Sequence, residues 1–174
     1  MGTINGLPAH ILLVHAVVVL LPLAALLLVL TAVSPSIRRR LAGPNALLSL
    51  LVVALVPVTT SAGEWLEHRV TGSALLHEHT ELGDTAIVAA LPVALLAVAI
   101  WWRGREADGT ARRRTYLAAG SAAITRAVMA LAVVIAGFAV YDIYRIGDSG
   151  AKASWSGTVS SAPAQNGPGG SDGD

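Results

Sequence analysis

The chain has 174 residues, of which 54% are hydrophobic and only 13% charged, with a formal net charge of +1 and no cysteine. Soluble domains carry roughly 25% charged residues, and a water-exposed bundle of this length would need more polar surface than these figures leave. The missing thiols exclude disulfides, thiolate catalysis, iron–sulfur clusters and thioether-linked haem, so the reading is of one domain whose solvent is lipid.

The first apolar run, His10–Val33, is too long for the ~7–15-residue core of a signal peptide, no Lys or Arg precedes it, and Arg38, Arg39 and Arg40 follow it. It is read as a retained span. Three more runs follow, Ala46–Ala62, Thr85–Trp102 and Ile124–Tyr144, each near the ~20 residues that a helix needs to cross ~30 Å of hydrocarbon. The predicted fold class is all-α: an integral membrane four-helix bundle over residues 1–155. Residues 156–174 are rich in Ser, Gly and Pro without apolar periodicity, which predicts a disordered tail. Pro22, Pro57 and Pro92 lie inside the first three spans and predict kinks, while abundant Ala and the pair Ala136–Gly137 predict close helix approach.

Arginine fixes the expected orientation. Arg38–Arg40 lie between spans one and two, and Arg103, Arg105 and Arg112–Arg114 between spans three and four, whereas the opposite side holds only Arg69, Arg145 and Lys152. The positive-inside rule puts the first set in the cytoplasm and both termini outside. Arg126, close to the cytoplasmic end of span four, can snorkel. With one lysine among twelve basic residues and much Ala, Val and Arg, the composition suggests a GC-rich bacterial genome, hence a multi-pass protein of the bacterial plasma membrane.

All five histidines fall on the outward side in this topology, with Glu64, Glu67, Glu78, Glu81, Asp84, Asp142 and Asp148. His15 lies five residues, or ~7.5 Å, deeper than His10 and ~140° round the helix, inside the apolar layer where a histidine normally faces the bundle interior and marks a proton, metal or cofactor site. His77, Glu78 and His79 precede span three at a ligand density that suits zinc, copper or iron, although no familiar zinc spacing is met. A helical start near Ala74 would put His79 and Gly83 one turn apart on one face, with Gly83 admitting a neighbouring helix or a planar ligand. Glu64 and Asp142 are candidates to orient ligating imidazoles. The candidate cofactor residues are thus His15, His79, His10 and Glu64, and the candidate metal ligands His10, His15, His77 and His79. The segment Ser73–Leu82, helix-forming in composition, is expected to fold over the bundle mouth and bring His79 and Glu64 towards His10 and His15.

Leu7-Pro8-Ala9-His10-Ile11-Leu12-Leu13-Val14-His15, Ala62-Gly63-Glu64-Trp65-Leu66-Glu67, Glu78-His79-Thr80-Glu81-Leu82-Gly83-Asp84 and Tyr144-Arg145-Ile146-Gly147-Asp148-Ser149-Gly150-Ala151-Lys152 together carry a resemblance. Over about residues 5–155 the chain resembles bacterial, especially actinobacterial, four-span membrane proteins catalogued as a domain of unknown function, which begin with a His-Pro-x-x-x-His-like signature. Pro8 here precedes His10, so the order differs, but the five-residue histidine step is kept. The resemblance implies the four-span fold and no established activity; comparison with haem-b four-helix membrane proteins is by analogy. A glycine-rich phosphate loop is absent and topology accounts for the arginines, so nucleotide and nucleic-acid readings fall away. Gly147-Asp148-Ser149-Gly150 echoes a serine-protease nucleophile but reads as a turn after span four, and no catalytic residue is assigned. The expected function is an outward-facing His/carboxylate site for haem b or a transition metal, in a redox-linked or ion-handling role. Its partners would be the bilayer and either a second copy or a membrane redox protein; the competing expectation is a structural or assembly subunit of a membrane complex.

Overall fold

The computed structural model of the protein describes residues 2–107 and 122–156. A short antiparallel hairpin of β1 (Thr3–Ile4) and β2 (Leu7–Pro8) leads into five helices: α1 (Ala9–Val33), α2 (Pro35–Glu67), α3 (Ala74–Gly83), α4 (Ala86–Ala107) and α5 (Ala122–Trp155). Thr3 pairs with Pro8 and Ile4 with Leu7. The turn is Asn5-Gly6, both at positive φ (50° and 80°), the two-residue geometry that Asn-Gly favours.

Helices α1, α2, α4 and α5 carry apolar windows long enough to span a membrane, and they pack in the cyclic order α1–α2–α4–α5 with α3 laid across α5. Their interface is small-residue packing: Ala24, Ala25, Ala89, Ala90, Ala97, Ala132 and Ala139 are buried around Leu21, Leu28, Val52 and Val93, which lets backbones approach where lipid supplies no hydrophobic drive. The outer faces carry exposed Leu, Val and Phe side chains such as Leu47, Leu95, Val134 and Phe138, as lipid contact requires.

The helices run well past the apolar runs. α1 and α2 are separated by Ser34 alone, which closes one helix through its N–H to the Leu30 carbonyl and opens the next through its Oγ, 3.4 Å from Ile37 N–H. Pro35 at the first helical position needs no partner for its nitrogen, and the Arg38 guanidinium donates to the Thr31 and Ala32 carbonyls at the end of α1. The polar stretch expected as a connection is therefore helix, and the 33 residues of α2 measure about 50 Å, more than the hydrocarbon layer. α5 likewise continues through Gly147-Asp148-Ser149-Gly150 to Trp155, so the expected turn there is corrected: Ser149 is buried in a helix. The expected helix over Ser73–Leu82 is present as α3, with Ser73 Oγ accepting from Leu76 N–H at 3.1 Å. Gly83 and Gly137 open onto empty space rather than onto a neighbour, so neither mediates the close approach expected of it. The expected disordered tail lies outside the described residues.

Candidate functional site

At the end of the bundle that carries the hairpin, α1 and α3 bring two imidazoles together. The His10 and His79 ring centroids are 6.4 Å apart with the planes at 73°. Each ring is seated against a glycine of a neighbouring helix: a Cβ built on Gly63 of α2 would lie 3.0 Å from His10 Nδ1, and one on Gly150 of α5 would lie 2.9 Å from His79 Cε1. At both positions the absence of a Cβ is what lets the ring approach the helix so closely.

Both rings are also anchored by the same nitrogen. His10 Nδ1–H donates to the Thr59 carbonyl at 3.0 Å, an oxygen whose own turn of α2 packs against α1. His79 Nδ1 lies 3.0 Å from Ser149 Oγ, and that hydroxyl donates its one hydrogen to the Ile146 carbonyl at 2.9 Å. Ser149 can therefore only accept from His79, which assigns the Nδ1–H tautomer to that ring. In both residues Nε2 then carries the lone pair. Anchoring at Nδ1 with a basic Nε2 is the arrangement by which outer partners orient ligating histidines.

The remaining sequence candidates are dispersed around this pair. His15, expected to face the bundle interior, is exposed and turns Nδ1 back onto the Ile11 carbonyl of its own helix; His10 takes the inward position instead. α1 is apolar on every side, so no periodicity marks which face is buried. His77 and His79 separate across α3: His77 Nε2 sits 3.3 Å from Glu81 Oε1 on the exposed side. Glu64 is exposed, and among the described residues its carboxylate bonds to neither imidazole. Asp142, expected to orient a histidine, instead has Oδ1 2.9 Å from the Thr85 hydroxyl, which also approaches the Leu82 carbonyl at 2.7 Å. Asp142 is buried, and its Oδ2 has no partner among the described residues. Asp142 and Ser149, two turns apart on α5, thus hold the start of α4 and the inner face of α3. Among the described residues no three His, Asp or Glu side chains form a metal-sized cluster.

His10, His15, His77, His79 and Glu64 all line one open cavity of about 1140 Å³, which runs down past Ile11, Val14 and Val56 between α1 and α2. Its upper end is polar and its lower wall apolar. Sequence reasoning passed over Ser149, Gly150, Gly63 and Thr59; the usable signals were a serine and a glycine where a helix continues, and a glycine one turn beyond a threonine.

Comparison with known families agrees with this architecture. The family described as Predicted membrane protein (DUF2231) matches residues 6–163. The chain belongs to this family. No curated protein and no solved structure matches it. The DUF2231 match extends from the hairpin past the end of α5, so it takes in the four apolar helices, the histidine pair and both glycine seats. This DUF2231 protein is a membrane protein with, among the described residues, four helices long and apolar enough to cross a bilayer.

Proposed function

We propose that the histidine end of the bundle holds a transition-metal ion or a haem iron between His10 and His79, on the outer face of a bacterial plasma membrane, in a redox-linked or ion-handling role. The observation that carries the reading is the pair itself: two imidazoles from different helices, each fixed at Nδ1, with centroids 6.4 Å apart. A metal–nitrogen bond of about 2.0 Å on each side, plus about 1.1 Å from nitrogen to ring centre, gives roughly 6 Å for two imidazoles in line across one metal. A structural zinc site needs four protein ligands. Two histidines without a third donor suit axial ligation of haem iron better, because the macrocycle fills the other positions.

In this reading His10 and His79 are the ligands, while His15, His77 and Glu64 line the cavity around them. Outward placement rests on Arg38–Arg40 and the later arginines at the opposite end. A second reading, a structural subunit of a membrane complex with no cofactor, is favoured by the glycine seats, which make both rings packing elements. Optical spectra and metal analysis of protein purified in mild detergent from haem- and metal-replete cells separate the two. A Soret band or stoichiometric metal that is lost in His10→Ala and His79→Ala but kept in His68→Ala is expected; absence of both from the wild type overturns the cofactor reading.

A further inference from the structure

His15 is the imidazole that the metal reading does not use. It sits ~7.5 Å below His10 along α1, in the apolar part of a span, and it is exposed. Its Nδ1–H is donated to the Ile11 carbonyl, so in the neutral imidazole Nε2 carries a lone pair, and among the described residues that nitrogen has no protein partner. Hydrocarbon tails offer no donor to it. An unsatisfied polar group at such depth is costly and normally faces a cavity or a ligand.

His15 does line a cavity. The lower wall beside it is Ile11, Val14, Val18 and Val56, whereas Thr60 and Glu64 stand above. At about 1140 Å³ the space exceeds the roughly 300–1,000 Å³ of ordinary small-molecule sites, enough for a ring with the beginning of an apolar tail. We infer that this membrane-side wall binds a hydroxyl-bearing amphiphile of the hydroquinone type, with one hydroxyl donating to His15 Nε2 and its apolar body against the Ile/Val wall.

The protonation pattern selects the class. An acceptor-only nitrogen cannot bond a quinone carbonyl or a phosphodiester oxygen, each of which also only accepts. It needs an O–H. Acceptors exist at two depths of the same cavity, His15 below and the Glu64 carboxylate above, and a hydroquinone carries one hydroxyl at each end of a flat ring. The inference goes beyond the metal reading and stands without it, since it needs only His15 and the cavity wall.

The protein in lipid nanodiscs is titrated anaerobically with decylhydroquinone, following tryptophan fluorescence, with empty nanodiscs subtracted. Trp155 lines the cavity and serves as the reporter. Saturable quenching is expected in the wild type and in His68→Phe. Binding should weaken by about tenfold in His15→Phe, the loss of one hydrogen bond, and by more for the hydroquinone dimethyl ether, which lacks both hydroxyl donors. His15 is exposed, so an apolar ring there leaves the bundle folded, and an unchanged cofactor spectrum in His15→Phe would keep this result separate from the metal site. Equal affinity for the ether, unchanged affinity in His15→Phe, or no saturable binding would each overturn the inference. So would a phospholipid that co-purifies with the wild type, is lost from His15→Phe and is not displaced by the hydroquinone.

Discussion

A missing side chain opposite each inward histidine does as much for the site as the histidine itself. A Cβ at Gly150 would fall 2.9 Å from the His79 ring, closer than real Cβ contacts come, so the ring would have to swing off Ser149. Gly150→Val should therefore abolish any cofactor binding that His79 supports, whereas Gly137→Val, which meets open space, should leave it intact; metal content and the optical spectrum of the two variants make the comparison. Ser149→Ala removes only the acceptor of His79 Nδ1–H. Cofactor affinity should fall about 10- to 100-fold, the usual consequence of losing an orienting partner, with the thermal midpoint little changed. The spacing of His10 and His15 predicts that they occupy different faces of α1, and they do. Which of them turns inward is decided by Gly63 and the Thr59 carbonyl, on another helix, and neither is readable from α1 itself.

Between elements, a fully buried polar contact joins α1 and α2 through Asn45. It is fully buried in α2, and with its amide oriented to suit its neighbours it donates to the Ala24 carbonyl at 3.3 Å and accepts from Leu28 N–H at 3.2 Å. Ala24 and Leu28 are one turn apart on α1, so a single side chain is inserted beside one rung of that helix's own ladder. Interhelical hydrogen bonds in membranes are each worth about 0.6–1.7 kcal/mol, and truncation adds a cavity. Asn45→Ala should lower unfolding stability in detergent by about 1–3 kcal/mol, read from the thermal midpoint, and Asn45→Gln should not restore it because the register of both bonds is lost. The spans were legible as elements because sustained apolar runs have no other use. Their ends were not, since Ser34-Pro35 reads as a break until one sees that the same serine caps both helices. Arg145–Lys152 reads as a polar connection until His79 is seen packed on Gly150. Helices that outrun the lipid are held by tertiary contacts that composition does not encode.

Across the whole molecule, α5 is the least enclosed span: 17% of its apolar window is buried against 33–39% in the other three. Its Val133, Val134, Phe138 and Tyr141 are exposed, a surface that lipid covers. The sidedness expected from the arginines is open to a direct measurement, because the native chain has no cysteine and single thiols can be introduced without further change. Ser36 is exposed at the start of α2 and Thr71 in the connection that follows the other end of that helix. Thr71→Cys should react with a membrane-impermeant maleimide on intact cells and Ser36→Cys only after lysis; the reverse pattern would place the histidine pair in the cytoplasm. The Asn5-Gly6 hairpin was passed over in the sequence, although that dipeptide favours a two-residue turn, and the hairpin packs Gly2 against Trp65 at this same end.

The two glycine seats also act as a vernier. An imidazole resting in a one-residue notch tolerates no sliding of the helix that bears the notch, since a shift of a single residue, about 1.5 Å along the axis, would bring the Cβ of Ser149 or Ala151 towards the ring in place of Gly150. His10 indexes α2 against α1 and His79 indexes α5 against α3, so the act of assembling the histidine pair and the act of setting the helices in register are one event. A chain that has mis-threaded by one position cannot present both nitrogens together.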